Sequence, residues 1–182
     1  MSVFSNPAST SLEDAMSYTK AIVGLIGERE PMEVLRETPA AMRRGIAGLS
    51  AAQLSQPEAP GKWSIRQMLQ HLVDAELVWG YRLRMVLAHD RPPLIGYDQD
   101  LWADRLHYAD ADVEGALETA AVLRRANLRL LDGASEADFA RVGIHAERGE
   151  ESVAHMVRMF AGHDLMHLRQ LERIRRVVAP LA

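Results

Sequence analysis

The 182-residue sequence contains no cysteine. That absence removes disulfides, iron–sulfur clusters, thiolate zinc sites and cysteine nucleophiles together, so any metal must sit on nitrogen and oxygen. Lysine is nearly missing too, since only Lys20 and Lys62 occur among 21 basic residues. We read this bias as a coding preference for arginine and draw no function from it. Neither sign of charge dominates: 21 basic against 25 acidic residues give a net charge of -4. With no strong field toward phosphate backbones or anionic lipid, neither a nucleic-acid nor a membrane partner is expected. No apolar run approaches the roughly 18 residues of a membrane span. The opening Met1-Ser-Val-Phe-Ser-Asn-Pro has neither the basic nor the apolar segment of an export signal, so the expected compartment is the cytoplasm. What is present, 48% hydrophobic against 25% charged residues, fits a globular domain with a sizeable core.

Glycine and proline divide the chain into a few long segments whose apolar positions recur at helical spacing. A first amphipathic stretch runs from about Leu12 to Glu28 and ends before Pro31, because the residue ahead of a proline is pushed out of helical angles. Met32 to Leu49 reads as a second helix, in which Pro39 should mark a kink or the true start. After a loop from Ser55 to Lys62, Ser64 and Gln67 form a capping box for a helix to about His89. A long connection from Arg91 through Trp102 leads to a helix from about Asp110 to Leu131. A second loop spans Gly143 to Gly149, and a last helix covers Ser152 to about Val178. No strand-like alternation and no internal repeat is visible. The expectation is an all-α protein, a four-helix bundle with an extra N-terminal helix: residues 1–31 an N-terminal extension, residues 32–182 the bundle domain.

The last helix carries the informative irregularity. Its apolar stripe, Val153, Met156, Val157, Phe160, Leu168, Leu171, Ile174 and Val178, is interrupted in the middle by His163 and His167. Both lie on the core side of the helix, one turn apart, within reach of a common ion. Seven histidines in 182 positions give such a pair by chance often enough that the spacing alone decides nothing. Position adds to it: a buried imidazole pair without a metal needs a partner for every ring nitrogen, whereas one ion satisfies two of them. His71, beside Leu72 on another long helix, supplies a third candidate ligand. Two readings stand at this point, a three-histidine metal site and separately satisfied histidines.

Other residues carry weaker signals. His163-Asp-Leu-Met-His167 has the spacing of the zinc-protease helix, but Asp164 is one methylene shorter than the required glutamate and no third ligand follows, which argues against peptidase chemistry. Asp74, three residues after His71, could hold a ring N–H or act as a general base; Glu76 faces differently. Arg82 could meet a substrate carboxylate or make an ordinary helix-surface pair. Gln170 could support His167 or be a simple polar contact between helices. Gly162, mid-helix, fits a close helix approach. Trp63, Trp79 and Trp102 are read as packing, and Arg173, Arg175 and Arg176 as cations suited to a helix C-terminus. His89, His107, His145 and His155 have no spacing that joins them to the cluster.

Three stretches in order, Pro60-Gly-Lys-Trp-Ser-Ile-Arg-Gln-Met-Leu-Gln-His71-Leu-Val-Asp-Ala-Glu, Gly96-Tyr-Asp-Gln-Asp-Leu-Trp-Ala and Gly162-His-Asp-Leu-Met-His-Leu-Arg-Gln-Leu171, resemble the DinB/YfiT-like family of bacterial proteins over about Met32 to Val178. The resemblance implies a four-helix bundle in which one histidine of the second bundle helix and an H-x-x-x-H pair on the fourth bind a divalent metal, zinc, nickel or iron. Residue by residue this points to His71, His163 and His167. It also implies a homodimer, and a metal-dependent enzyme of thiol S-transferase or hydrolase type acting on a small molecule; Asp74, from its spacing to His71, is the candidate base beside it. Since the chain has no cysteine, any thiolate would come from a low-molecular-weight thiol. A non-catalytic, stress-associated metal-binding bundle is the alternative, and a plain helical dimer with incidental histidines a third.

Overall fold

The structure, a computed structural model, describes residues 12–180, so the first eleven residues of the expected N-terminal extension lie outside the described residues. In chain order the elements are α1 (Leu12–Gly24), α2 (Pro31–Ile46), α3 (Ala51–Ser55), α4 (Ile65–Ala88), β1 (Pro93–Leu94), α5 (Gln99–Arg105), a 3₁₀ turn (Tyr108–Asp110), α6 (Val113–Asp132), α7 (Glu136–Ala140), β2 (Val142–His145), β3 (Gly149–Ser152) and α8 (Val153–Val178). Helices α2, α4, α6 and α8 form the four-helix bundle, with α2 and α4 each packed against both α6 and α8. Helix α1 lies on the outside of α8. No helix among the described residues is long and apolar enough to cross a membrane.

Local chemistry places most helix starts where the sequence puts them. Ser64 accepts the Gln67 N–H while Gln67 Oε1 accepts the Ser64 N–H, which opens α4. Ser152 caps α8 and Asp112 caps α6 in the same sense. Pro31 starts α2, where its missing N–H is one of the unpaired donors in any case. Pro39 does not mark the start of the helix: α2 begins at Pro31 and continues through Pro39 to Ile46. Pro39 cannot bond back to the Leu35 carbonyl, but Arg124 Nη1 on α6 does so instead at 2.7 Å.

The connections hold structure the periodicity does not show. α3 has its own capping box from Ser50 and Gln53. β1 pairs parallel to β2, and β2 pairs antiparallel to β3, so the loop expected from Gly143 to Gly149 is largely a hairpin. Strands of two and four residues are too short for an alternation to register. This small sheet closes one end of the bundle and sets His145 opposite Leu94 on one side and Gly149 on the other.

The apolar interior divides into two clusters, one around Trp79, Leu83, Val157 and Phe160, the other around Met68, Leu69, Leu117 and Ile174. Along α8, His163 lies among residues of the first cluster and His167 between the two, while His71 on α4 lies among residues of the second. Gly162 faces α1, and a Cβ there would overlap the carbonyl oxygen of Ile22, so the glycine is what allows the close approach.

Candidate metal centre

α4 delivers His71 and α8 delivers His163 and His167 to one point. The Nε2 atoms of His71 and His163 are 3.3 Å apart and those of His163 and His167 are 3.1 Å apart. His71 is 1% and His167 5% exposed, while His163 is partly buried. Burial holds His71 and His163 well below the ordinary histidine range, with neighbouring charges adding to the effect, and brings His167 to about 4. At neutral pH the rings are therefore uncharged, the form that ligates a cation.

Protons alone do not satisfy this geometry. Nδ1 of His167 donates to Gln170 Oε1 at 2.8 Å, which leaves its Nε2 as a lone pair. A proton on His163 Nε2 would have to be divided between His167 and His71; without one, the contact to His167 sets lone pair against lone pair. One cation accepts all three lone pairs, and the spacings match the roughly 3.3 Å edge of a tetrahedron with about 2.0 Å metal–nitrogen bonds. The residues present fit a divalent metal ion, and the three histidines form a group able to hold one. All-nitrogen ligands suit zinc, nickel and iron alike.

Aromatic rings fix the ligands from the outside. Phe160 stacks on His163 at a centroid distance of 5.6 Å and on Trp79 at 4.3 Å, and Trp63 lies 5.1 Å from His71. Asp164 turns away from the centre into a buried ion pair with Arg124, which also bonds Glu76; Asn127 donates to Glu76 as well. Asp74 accepts a hydrogen bond from Tyr108 Oη at 2.5 Å and a long one from Gln70, and neither partner is a histidine. Nδ1 of His71 has no hydrogen-bond partner among the described residues. Arg82 donates to the Ile95 carbonyl rather than to an acid. Arg173 pairs with Glu58, and Arg175 donates to the carbonyls of Gly45 and Ala47 at the end of α2.

His71 and His163 line a cleft of about 140 Å³ whose other walls come from α4, α8, the β2–β3 hairpin, Tyr18 of α1, and Gly96, Tyr97 and Gln99. His145, 2% exposed, lines the same cleft, although its sequence spacing sets it apart from the cluster. Helical periodicity could not have found it, because a short hairpin rather than a helix carries it there. On the other side of the centre His167 lines a second, more polar cleft with Lys62, Arg169 and Arg173.

The DinB superfamily model matches residues 35–171, a span that contains all three histidines. The chain belongs to the DinB superfamily. It is similar to a Geobacillus thermodenitrificans protein, 28% identical over 150 residues that make up 81% of this chain and 84% of the relative. It is likewise similar to YfiT of Bacillus subtilis, 25% identical over 146 residues, 78% of this chain and 82% of YfiT. Both relatives carry the name "Putative metal-dependent hydrolase". The solved structure of YfiT, described as a four-helix bundle of unusual topology, superposes with a TM-score of 0.76 at 21% identity, over 95% of this chain and 92% of YfiT. The superposition shows that this chain shares the four-helix bundle fold of YfiT.

Proposed function

We propose that this chain is a metal-dependent enzyme acting on a small molecule bound in the cleft beside His71 and His163. The observation that carries the reading is the convergence of three Nε2 atoms at the edge of an open cleft rather than in a closed interior. A divalent cation there would supply Lewis-acid polarisation and lower the pKa of an incoming nucleophile toward neutrality. His71, His163 and His167 hold it, and Gln170 fixes which nitrogen of His167 faces inward. Trp79, Phe160 and Met156 give the cleft an apolar wall that limits water around the reacting groups. The partners found for Asp74 favour positioning over the general-base role its spacing suggests: it holds Tyr108, whose ring packs edge-on against Trp63 and so supports the wall behind His71.

The names of the relatives support hydrolysis, with water as the nucleophile. Transfer to an external low-molecular-weight thiol is favoured by one separate observation, the polar cleft on the His167 side, which gives a second substrate its own approach. Metal analysis of untagged protein followed by turnover assays with esters, amides and thiol–electrophile pairs tests both. His167→Ala should remove metal and turnover together. Asp74→Asn should retain metal while turnover falls only modestly; a loss of a hundredfold or more at full metal content would restore the base. Metal bound with no turnover across the panel would favour the non-catalytic alternative.

A further inference from the structure

Two buried nitrogens outside the metal centre, Nε2 of His145 and Nε1 of Trp79, have no hydrogen-bond partner among the described residues, and both residues line the cleft. The proton of His145 is placed by the backbone: the Glu147 N–H donates to Nδ1 at 3.2 Å, which puts the hydrogen on Nε2. The indole nitrogen of Trp79 is a donor only. Both are therefore N–H groups without an acceptor among the described residues, an arrangement that native interiors complete with ordered water or a ligand. Burial, with Arg148 and Arg82 adding to it, lowers the His145 pKa to about 4, so this donor is uncharged at neutral pH. The charged residues lining the cleft cancel, Arg82 and Arg148 against Glu147 and Glu151, and Arg148 is paired with Glu151. Trp79 stacked on Phe160, with Met156, forms the apolar side.

We propose that the cleft takes an uncharged substrate of ester or amide type on an apolar body, its acceptor oxygens met by the Nε2–H of His145 and the Nε1–H of Trp79. The two residues act by positioning: they place the carbonyl group beside the face of the cleft formed by His71 and His163. This deepens the reading of the cleft as a substrate site and rests on it.

The test is binding, followed by nitrogen-15 NMR on metal-free and zinc-loaded protein, with three probes that share a benzyl group. Phenylacetamide offers a neutral carbonyl, phenylacetate an anion, and ethylbenzene no acceptor. Phenylacetamide should move the Trp79 indole proton and the His145 Nε2–H downfield and bind more tightly than the other two. His145→Phe and Trp79→Phe should each weaken phenylacetamide about tenfold, the loss of one hydrogen bond, and leave ethylbenzene unchanged. Trp79→Phe keeps a ring against Phe160, so the proposal remains testable if His145→Phe disturbs the hairpin. Equal binding of phenylacetamide and ethylbenzene, tighter binding of phenylacetate, or unchanged amide affinity in Trp79→Phe would overturn it. Those results leave zinc binding untouched, whereas failure to bind zinc with the amide contacts intact would overturn the metal-enzyme reading alone.

Discussion

The carbonyl oxygen of Leu35, which Pro39 deprives of its helical donor, accepts a hydrogen bond from Arg124 Nη1 at 2.7 Å. The same guanidinium bonds Glu76 at 2.9 Å and Asp164 at 2.7 Å. One side chain from α6 thus ties together α2, α4 and α8, and Asp164 is the neighbour of His163. Burial opposes the charge on Arg124, but Asp164 and Glu76 outweigh it and raise its pKa above the ordinary value.

Arg124→Leu should therefore be severely destabilising, by about 3–5 kcal/mol, because it leaves two buried carboxylates without a counter-charge. Arg124→Lys should recover only part of the loss, since an ammonium cannot serve three acceptors in a fork. Urea denaturation of the metal-free protein measures both. Pro39→Ala provides the coupled control. It returns a donor to Leu35, so the Leu35 part of the Arg124→Leu penalty, about 1 kcal/mol, should disappear in the double variant.

How much of this could be read beforehand depends on what each feature is made of. The bundle helices and the convergence of His163 with His167 rest on helical periodicity and capping residues, which act within a few neighbours and are visible in a linear string. His71 was reachable as a candidate because it borders an apolar stripe. The path of α2 through Pro39 was not, since the compensating donor lies 89 positions away. His145 was missed for the same kind of reason: it reaches the cleft through a hairpin whose register is set by tertiary pairing. Asp74 sits at the right interval from His71, yet spacing cannot show that Tyr108 occupies it.

Gly162→Ala should displace α1 from α8. The added methyl meets a backbone carbonyl at Ile22, which cannot rotate away as a side-chain tip could. A loss of about 1–3 kcal/mol is expected, the usual cost of overpacking. Limited proteolysis should show faster cleavage near Gly24–Arg29. Unchanged stability and cleavage would mean that α1 is not held at this point.

Stability should depend on pH through His145, whose pKa is about 4 in the fold against the ordinary 6.5. Between these values the unfolded chain binds a proton that the native ring does not. Stability accordingly falls as pH drops from about 6.5 to about 4 and levels off below, at a slope of at most about 1.4 kcal/mol per pH unit from this residue. The buried ligand histidines act in the same direction in metal-free protein. His145→Phe should flatten the slope in that window without changing it above pH 7, as urea titrations at a series of pH values will show.

Metal loading supplies the last prediction. A divalent ion held by the native triad and not by the unfolded chain should, at a free concentration a hundred times its dissociation constant, stabilise the fold by about 2.7 kcal/mol. For a chain of this length that raises the midpoint of thermal unfolding by roughly 5–11 °C, and a chelator should reverse it. His71→Ala and His167→Ala should abolish the shift by removing a ligand. Gln170→Ala should preserve it at higher metal concentration, with affinity reduced about 10–100-fold, because Gln170 selects the nitrogen that His167 turns inward without touching the ion. A Gln170→Ala protein that binds metal as tightly as the parent would show that the His167 ring is held by its packing alone. A His71→Ala protein with an undiminished thermal shift would place the ion on the α8 pair without α4, and the two helices would then share no centre.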